Sequence, residues 1–257
     1  TMYRKIWSEA EKTGREKVLR NGLKISGGLR KVGIDLRGKL FKSVREAFGG
    51  NLDHIICGGA KLNPELIEAF EEFGMSVFEG FGITECSPLV SVDRYYDRRL
   101  GSVGPAVPSC EVRIDPNGDL TDKGFDMGEI QVKGDNVMLG YYNNDEANAD
   151  VFTEDGWFRT GDVGYLDEDG YIYITGRIKF VIVLENGKNV FPEEIEAYLE
   201  VIDTISEACV IGRKAKDSDT INLTAVVYPN FAKFPKDATD EEIKDSIRKP
   251  TNADNKT

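Results

Sequence analysis

Between Leu52 and Phe78 the sequence sets a strand, a helix and a second strand end to end, with no room for a long connection. Leu52 to Cys57 is a short apolar run ended by Gly58-Gly59. Asn63 offers a helix cap and Pro64 suits the first helical position. Leu66, Ile67, Phe70 and Phe73 then recur on one face, and Gly74 ends the helix. Ser76-Val77-Phe78 supplies the second strand. Two strands joined through a helix predict a parallel βαβ unit. In such sheets ligands gather beyond the carboxyl ends of the strands. Gly58-Gly59-Ala60 and Gly80-Phe81-Gly82 both fall at such ends.

The flanking segments differ in texture. Residues 2–48 are helical in pattern: Tyr3, Ile6, Trp7 and Ala10 share one face, and Leu40, Phe41, Val44, Ala47 and Phe48 share another. Gly27-Gly28 and Gly33 are expected to break this region into two or three helices. Residues 99–177 read as β-rich and antiparallel or barrel-like, with strands at Val112–Ile114, Glu129–Lys133 and Tyr171–Thr175. Asn117-Gly118 and Asp169-Gly170 are the turn signals there. Residues 178–257 read as a small α+β domain. It would hold a strand at Phe180–Leu184, a turn at Asn186-Gly187, a helix from Pro192, strands at Ala208–Ile211 and Leu223–Tyr228, and a last helix over 239–248. The expected organisation is therefore α/β over 1–98, a barrel-like subdomain over 99–177 and a small α+β domain over 178–257.

Composition removes several functions. No apolar run approaches the ~20 residues of a membrane helix, and no signal-peptide pattern opens the chain, so the expectation is a soluble cytoplasmic protein. Cys57, Cys86, Cys110 and Cys209 show no metal or disulfide spacing and read as reduced thiols. The single histidine, His54, reads as a strand-end residue and leaves no basis for a histidine-rich metal site or a Ser-His-Asp triad. The net charge is −12, yet residues 1–45 carry 13 Lys/Arg against 4 Asp/Glu. The acidic remainder argues against nucleic acid as a partner. The basic start reads as a solvated helix face, as peripheral contact with an anionic membrane surface, or as contact with a phosphorylated ligand.

Phosphate-binding signatures of the commonest kinds fail. Gly33 to Lys39 fits G-x-x-x-x-G-K, but Leu40 stands where a magnesium-binding hydroxyl belongs and no strand precedes. No G-x-G-x-x-G follows a strand. Asp115 to Asp119 lacks the distal Glu of a calcium loop and reads as a turn. What remains is Glu79-Gly-Phe-Gly-Ile-Thr-Glu85. Glycines there let backbone approach a flat ligand, Phe81 can offer its ring to a base, Thr84 a hydroxyl to phosphate and Glu85 a carboxylate to Mg²⁺. Asp162, read as a turn residue, can accept bonds from both ribose hydroxyls, and Arg177 ends a strand with a fork of donors. Each also has an ordinary structural reading as a turn glycine, a turn carboxylate or a surface ion pair.

With Gly58-Gly-Ala-Lys-Leu62, Glu79–Glu85, Gly101-Ser-Val-Gly-Pro105, Trp157-Phe-Arg-Thr-Gly-Asp162 and Gly176-Arg-Ile-Lys179 in this order, the chain resembles the adenylate-forming superfamily of acyl-CoA synthetases, luciferases and peptide-synthetase adenylation domains. Gly82–Pro88 and Val183–Ile195 look most like long-chain fatty acid–CoA ligases. The resemblance implies a partial adenylate-forming fold and a ligase using ATP, Mg²⁺ and CoA to convert a fatty acid to acyl-CoA through acyl-AMP. It implies that Gly58, Gly59, Ala60 and Phe81 enclose the adenine, with Glu79, Gly80 and Gly82 beside it and Ile174 near the base. Thr84 would touch phosphate, Glu85 would hold Mg²⁺, and Asp162 and Arg177 would bind ribose. Lys179 falls at the family's interdomain hinge and Gly187 in its pantetheine-side loop, read for CoA.

Two family elements find no match: the Ser/Thr/Gly-rich loop whose lysine clamps the β- and γ-phosphates, and the lysine near the family's C-terminus. Lys236 and Lys256 are poor candidates for the latter. The expectation is a C-terminal part of a synthetase with no useful turnover of its own, since such charge-stabilising groups are each worth ~3 kcal/mol or more in rate. Two alternatives stand beside it: an adenylating enzyme with a carrier-protein or other acceptor, favoured less by the Asn186–Val190 loop, and a non-catalytic nucleotide-binding module.

Overall fold

The computed structural model describes residues 2–253 except Ala60, Lys61, Asn186, 215–219 and Lys236. Ala60, Lys236 and Lys256 therefore lie outside the described residues. The chain divides into two compact units. The first is formed by residues 1–110, with 135–138 and 170–172; the second by 111–134, 139–169 and 173–257.

The first unit opens with helices α1 (Met2–Lys12), α2 (Glu16–Lys31), α3 (Arg37–Leu40) and α4 (Lys42–Ala47). Gly27-Gly28 does not break α2, contrary to the sequence expectation. A helix tolerates glycine at about 1 kcal/mol each when its other face is anchored, and Leu19, Leu23 and Ser26 anchor this one. The stop is at Gly33, whose φ of +80° no β-carbon favours. Strand β1 (His54–Gly58), helix α5 (Pro64–Glu72) and strand β2 (Ser76–Gly82) come next, as expected, with β1 and β2 parallel and Gly58 opposite Gly80. Strand β3 (Leu89–Val92) adds to β2 antiparallel. The helical layer and this sheet share a core of Phe41, Ile67, Phe70, Phe73, Met75 and Val77. Phe41 and Phe73 meet edge to face at 5.3 Å.

Arg98 ties this unit across its layers: its guanidinium donates to the Val77 carbonyl and the Glu71 carboxylate and lies over the Phe78 ring. His54 begins β1 and stacks on Phe78 at 5.6 Å, a strand-end role as expected. The Gly101–Pro105 stretch is held by Ser102. Its buried hydroxyl donates to the Ile172 carbonyl at 2.9 Å and accepts from the Gly104 amide at 3.0 Å. Ser102→Ala leaves both groups short of a partner. A loss of about 1–2 kcal/mol is expected, read as a lower urea midpoint with an unchanged slope.

The second unit is built on an open four-stranded sheet. Strands β4 (Cys110–Leu120), β5 (Asp126–Gly134), β6 (Phe158–Leu166) and β7 (Ile172–Arg177) lie in that order, and β5 and β6 are antiparallel. Asn117-Gly118 is not the turn between strands: it sits inside β4, where the Asn117 side chain accepts from the Asp119 amide. The turn lies at Thr121–Phe125, closed by the Thr121 amide on the Phe125 carbonyl. Strand β6 and helix α6 (Asp145–Val151) escaped the sequence reading. Phe158-Arg-Thr-Gly-Asp interrupts the apolar alternation that marks a strand.

Beyond β7, Ile178–Phe180 forms a 3-10 turn, and the strand expected over 180–184 shrinks to β8 (Ile182–Val183), paired with β9 (Asn189–Val190). Helix α7 (Pro192–Glu200), the antiparallel pair β10 (Ile205–Lys214) and β11 (Ile221–Pro229), and helix α8 (Asp240–Ala253) complete the chain. Among the described residues no helix is long and apolar enough to cross a membrane.

Candidate functional site

In the first unit the sequence candidates gather at the β1 and β2 ends. Gly58 closes β1, and a β-carbon there would meet the Gly80 carbonyl at 3.0 Å. Gly59 adopts φ +86° with open space around it. Glu79 is buried, 5% exposed, and Phe81 is 7% exposed, so its ring lies in the sheet's packing and not free on the surface. Gly82 faces the Pro88 carbonyl, which would stand 2.3 Å from a β-carbon. That close approach lets the Ile83 amide donate to the same carbonyl at 2.8 Å and folds Thr84–Cys86 into a tight 3-10 turn. Thr84 is exposed and Glu85 half-buried at the tip of this turn, whose Glu85 carbonyl accepts from the Met138 amide at 2.7 Å.

Asp93, just past β3, is a residue the sequence reading missed. It is buried and accepts from the Glu79 amide at 2.9 Å, while the Glu79 carbonyl accepts from its own amide at 2.9 Å. Its second oxygen, Oδ1, has no hydrogen-bond partner. Burial raises its pKa, countered by the Glu79 amide and Arg98. The signal available in sequence was an acid ending the apolar run Leu89–Val92.

In the second unit Asp162 lies within β6, not in a turn. It is 4% exposed. Arg177, at the end of β7, donates from Nε to its Oδ1 at 2.9 Å, and Asp162 Oδ2 is buried with no partner. Strands β6 and β7 are neighbours in the sheet, which brings together a pair that sequence separation hides. Burial raises the Asp162 pKa; Arg177 opposes this, and Glu129 and Glu193 reinforce it. Thr160 accepts from the Asp162 amide and donates to the Ile130 carbonyl, fixing the strand locally. Glu193, at the start of α7, was also missed: its Oε2 is a second buried oxygen without a partner. Ile174 is half-buried on β7.

Lys179 is exposed in the 3-10 turn after β7 and borders a groove of about 780 Å³ lined also by Phe180, Pro192, Glu193, Val210 and Gly212. Gly187 takes φ +77° in the turn between β8 and β9, where its amide donates to the Leu184 carbonyl at 2.9 Å. Among the described residues no three His, Cys, Asp or Glu side chains converge to hold a metal. Thr84 and Glu85 offer one hydroxyl and one carboxylate. That donor set fits Mg²⁺ carried in by a nucleotide, which keeps waters and phosphate oxygens as its other ligands. It does not fit an all-protein cage.

The glycine-flanked strand ends and the hydroxyl and carboxylate on one tight turn thus belong to the first unit, and the buried half-satisfied aspartate with its arginine to the second. The model of the AMP-binding enzyme family matches residues 7–142, more than half of the chain, and the chain belongs to this family. The long-chain-fatty-acid–CoA ligase FadD15 of Mycobacterium bovis is 39% identical over 173 residues, covering 67% of this chain and 27% of that protein. The 2-succinylbenzoate–CoA ligase of Bacillus velezensis is 40% identical over 160 residues, covering 62% of this chain and 32% of that protein. The chain thus spans about a third or less of the length of these relatives.

Solved structures agree on the fold. O-succinylbenzoate coenzyme A synthetase from Bacillus subtilis, in complex with ATP and magnesium ion, superposes with a TM-score of 0.63 at 30% identity, over 80% of this chain and 42% of that one. An ATP-bound chimera of RpMatB and BxBclM gives 0.64 at 32% identity, over 82% and 42%.

Proposed function

We propose that this chain supplies nucleotide-binding groups of a carboxylate–CoA ligase that works through an acyl-adenylate. The observation that carries the reading is Asp162: a buried carboxylate with one oxygen held by Arg177 and the other left without a donor. A buried acceptor left open costs about 1–3 kcal/mol. Such a cost is expected where a ligand donor, here a ribose hydroxyl, completes the group. In this reading the Gly58–Gly59 and Glu79–Gly82 ends face the adenine, and Thr84 faces phosphate. Glu85 would hold Mg²⁺, which when bound supplies positive charge to the phosphate oxygens. Ile174 packs near the base, Lys179 serves as a pivot between half-reactions, and Gly187 lies on the CoA side.

The relatives support both a long-chain fatty acid and an aromatic acid as substrate. FadD15 is named for the first, and the 2-succinylbenzoate ligases for a substrate of the second kind. The fatty acid is the reading we carry, on the Val183–Ile195 stretch. AMP titration followed calorimetrically tests the nucleotide half: saturable binding that Asp162→Ala weakens is expected, and unaltered binding in that variant overturns it. Pyrophosphate release by the full open reading frame, over a series of fatty and aromatic acids, decides the substrate. The 257-residue chain alone is expected to form no acyl-CoA; ATP-dependent thioester from it would overturn that part.

A further inference from the structure

Asp162 has only one free oxygen to offer a ribose. Arg177 Nε holds Oδ1 at 2.9 Å, and Oδ2 alone is without a partner. A vicinal diol brings two donors. A second buried acceptor in the same state lies close by in the second unit: Glu193 Oε2 has no hydrogen-bond partner among the described residues. Both acids border the end of β7. A β-carbon on Gly176 would stand 3.0 Å from Glu193 Oε2, and the next residue, Arg177, carries the bond to Asp162. The two carboxylates are near enough for the charge of Glu193 to act on Asp162. Gly176 permits this placement. Its β-carbon would also meet Phe191 Cδ1 at 2.9 Å, so a side chain there would push the start of α7, and Glu193 with it, off the strand.

An acid in the first turn of a helix is ordinary, and it usually sits in water near the free amides. Glu193 instead has a buried oxygen left open beside another acid. The third acid nearby, Glu129, is already answered: its Oε1 accepts from the Gly161 amide at 3.0 Å, and Arg159 stands 3.7 Å from its Oε2. We propose that Glu193 is a specificity-determining residue of the nucleotide site, its Oε2 and Asp162 Oδ2 each accepting from one hydroxyl of a ribose cis-diol. This rests on the nucleotide reading above and adds what the site selects, a ribonucleotide over its deoxy forms. A metal ion answers the pair less well. Arg177 already brings positive charge to Asp162, and among the described residues no three acids, thiols or imidazoles converge. A diol supplies two neutral donors on adjacent carbons, one for each open oxygen.

Calorimetric titration with AMP, 2′-deoxy-AMP and 3′-deoxy-AMP tests this. The parent chain is expected to bind AMP about 10–100-fold more tightly than either deoxynucleotide, at the usual worth of a hydrogen bond to a charged group. Glu193→Ala is expected to weaken AMP by a similar factor. It should leave one of the two deoxynucleotides nearly unchanged, the one lacking the hydroxyl that Glu193 accepts from. Glu193→Gln keeps the shape of the side chain and guards against a folding defect. The same pattern at smaller size is expected from it, with a melting temperature unchanged or raised. A loss equal for all three nucleotides, or no loss, overturns the proposal; if Asp162→Ala still weakens AMP, the nucleotide reading stands without it. Absence of AMP binding by the parent chain, or full binding by Asp162→Ala, overturns both.

Discussion

Gly82→Ala is expected to cost the chain about 3 kcal/mol, the upper range for a forced overpacking, or roughly 6–12 °C of melting temperature at this size. The added β-carbon would stand 2.3 Å from the Pro88 carbonyl oxygen, 3.0 Å from its carbon and 3.3 Å from the Leu89 Cα. All three are backbone atoms that cannot swing aside. The Ile83 amide bond to that same carbonyl would stretch, and with it the 3-10 turn that displays Thr84 and Glu85. Stability and AMP affinity should therefore fall together. Gly59→Ala is the contrast. Nothing lies near its β-carbon, and only φ +86° opposes it, so about 1–2 kcal/mol is expected. Paired urea melts and AMP titrations distinguish two reasons for a glycine. If Gly82→Ala lost AMP binding with its melt intact, the glycine would serve the ligand and not the hairpin.

That contrast bears on what the sequence could reveal. The βαβ unit was legible because local chemistry specifies it: Pro64 starts α5, Gly74 turns the chain out of it, and Leu66, Ile67, Phe70 and Phe73 repeat at helical spacing. The glycines of the Gly58–Gly59 and Gly80–Gly82 runs were visible as residues, but not their reasons. Gly82 answers the carbonyl of Pro88, and Gly59 a backbone angle. Strand β6 was hidden because Thr160, Gly161 and Asp162 break its apolar pattern. Those departures occur where a carboxylate must be buried. Asp93 and Glu193 were missed for a related cause. Each is an ordinary acid in sequence and becomes unusual only when strand pairing or a helix start removes its water.

Asp162→Asn is expected to weaken AMP binding by about 10–100-fold, the worth of a charged hydrogen bond at 1.5–3 kcal/mol, while making the free chain more stable at neutral pH by about 1 kcal/mol. The sign comes from burial, which raises the Asp162 pKa against the partial opposition of Arg177. A carboxyl whose folded pKa lies above its unfolded value of 3.8 binds its proton more tightly in the native state. Its contribution to stability is thus complete below the unfolded value and is lost as pH rises through the folded one. At neutral pH the ionised group is a burden, because Oδ2 has no donor and Glu129 and Glu193 repel it. The neutral amide removes that burden. Arg177, whose side chain is 55% exposed, regains water where it loses its anion. The stability gain should shrink as pH is lowered through the raised pKa, which melts taken from neutral to acid pH would show. A chain that is stabilised and simultaneously loses nucleotide carries the mark of a carboxylate kept for its ligand. An equal loss of stability would instead make Asp162–Arg177 a structural ion pair and remove the observation on which the nucleotide reading rests.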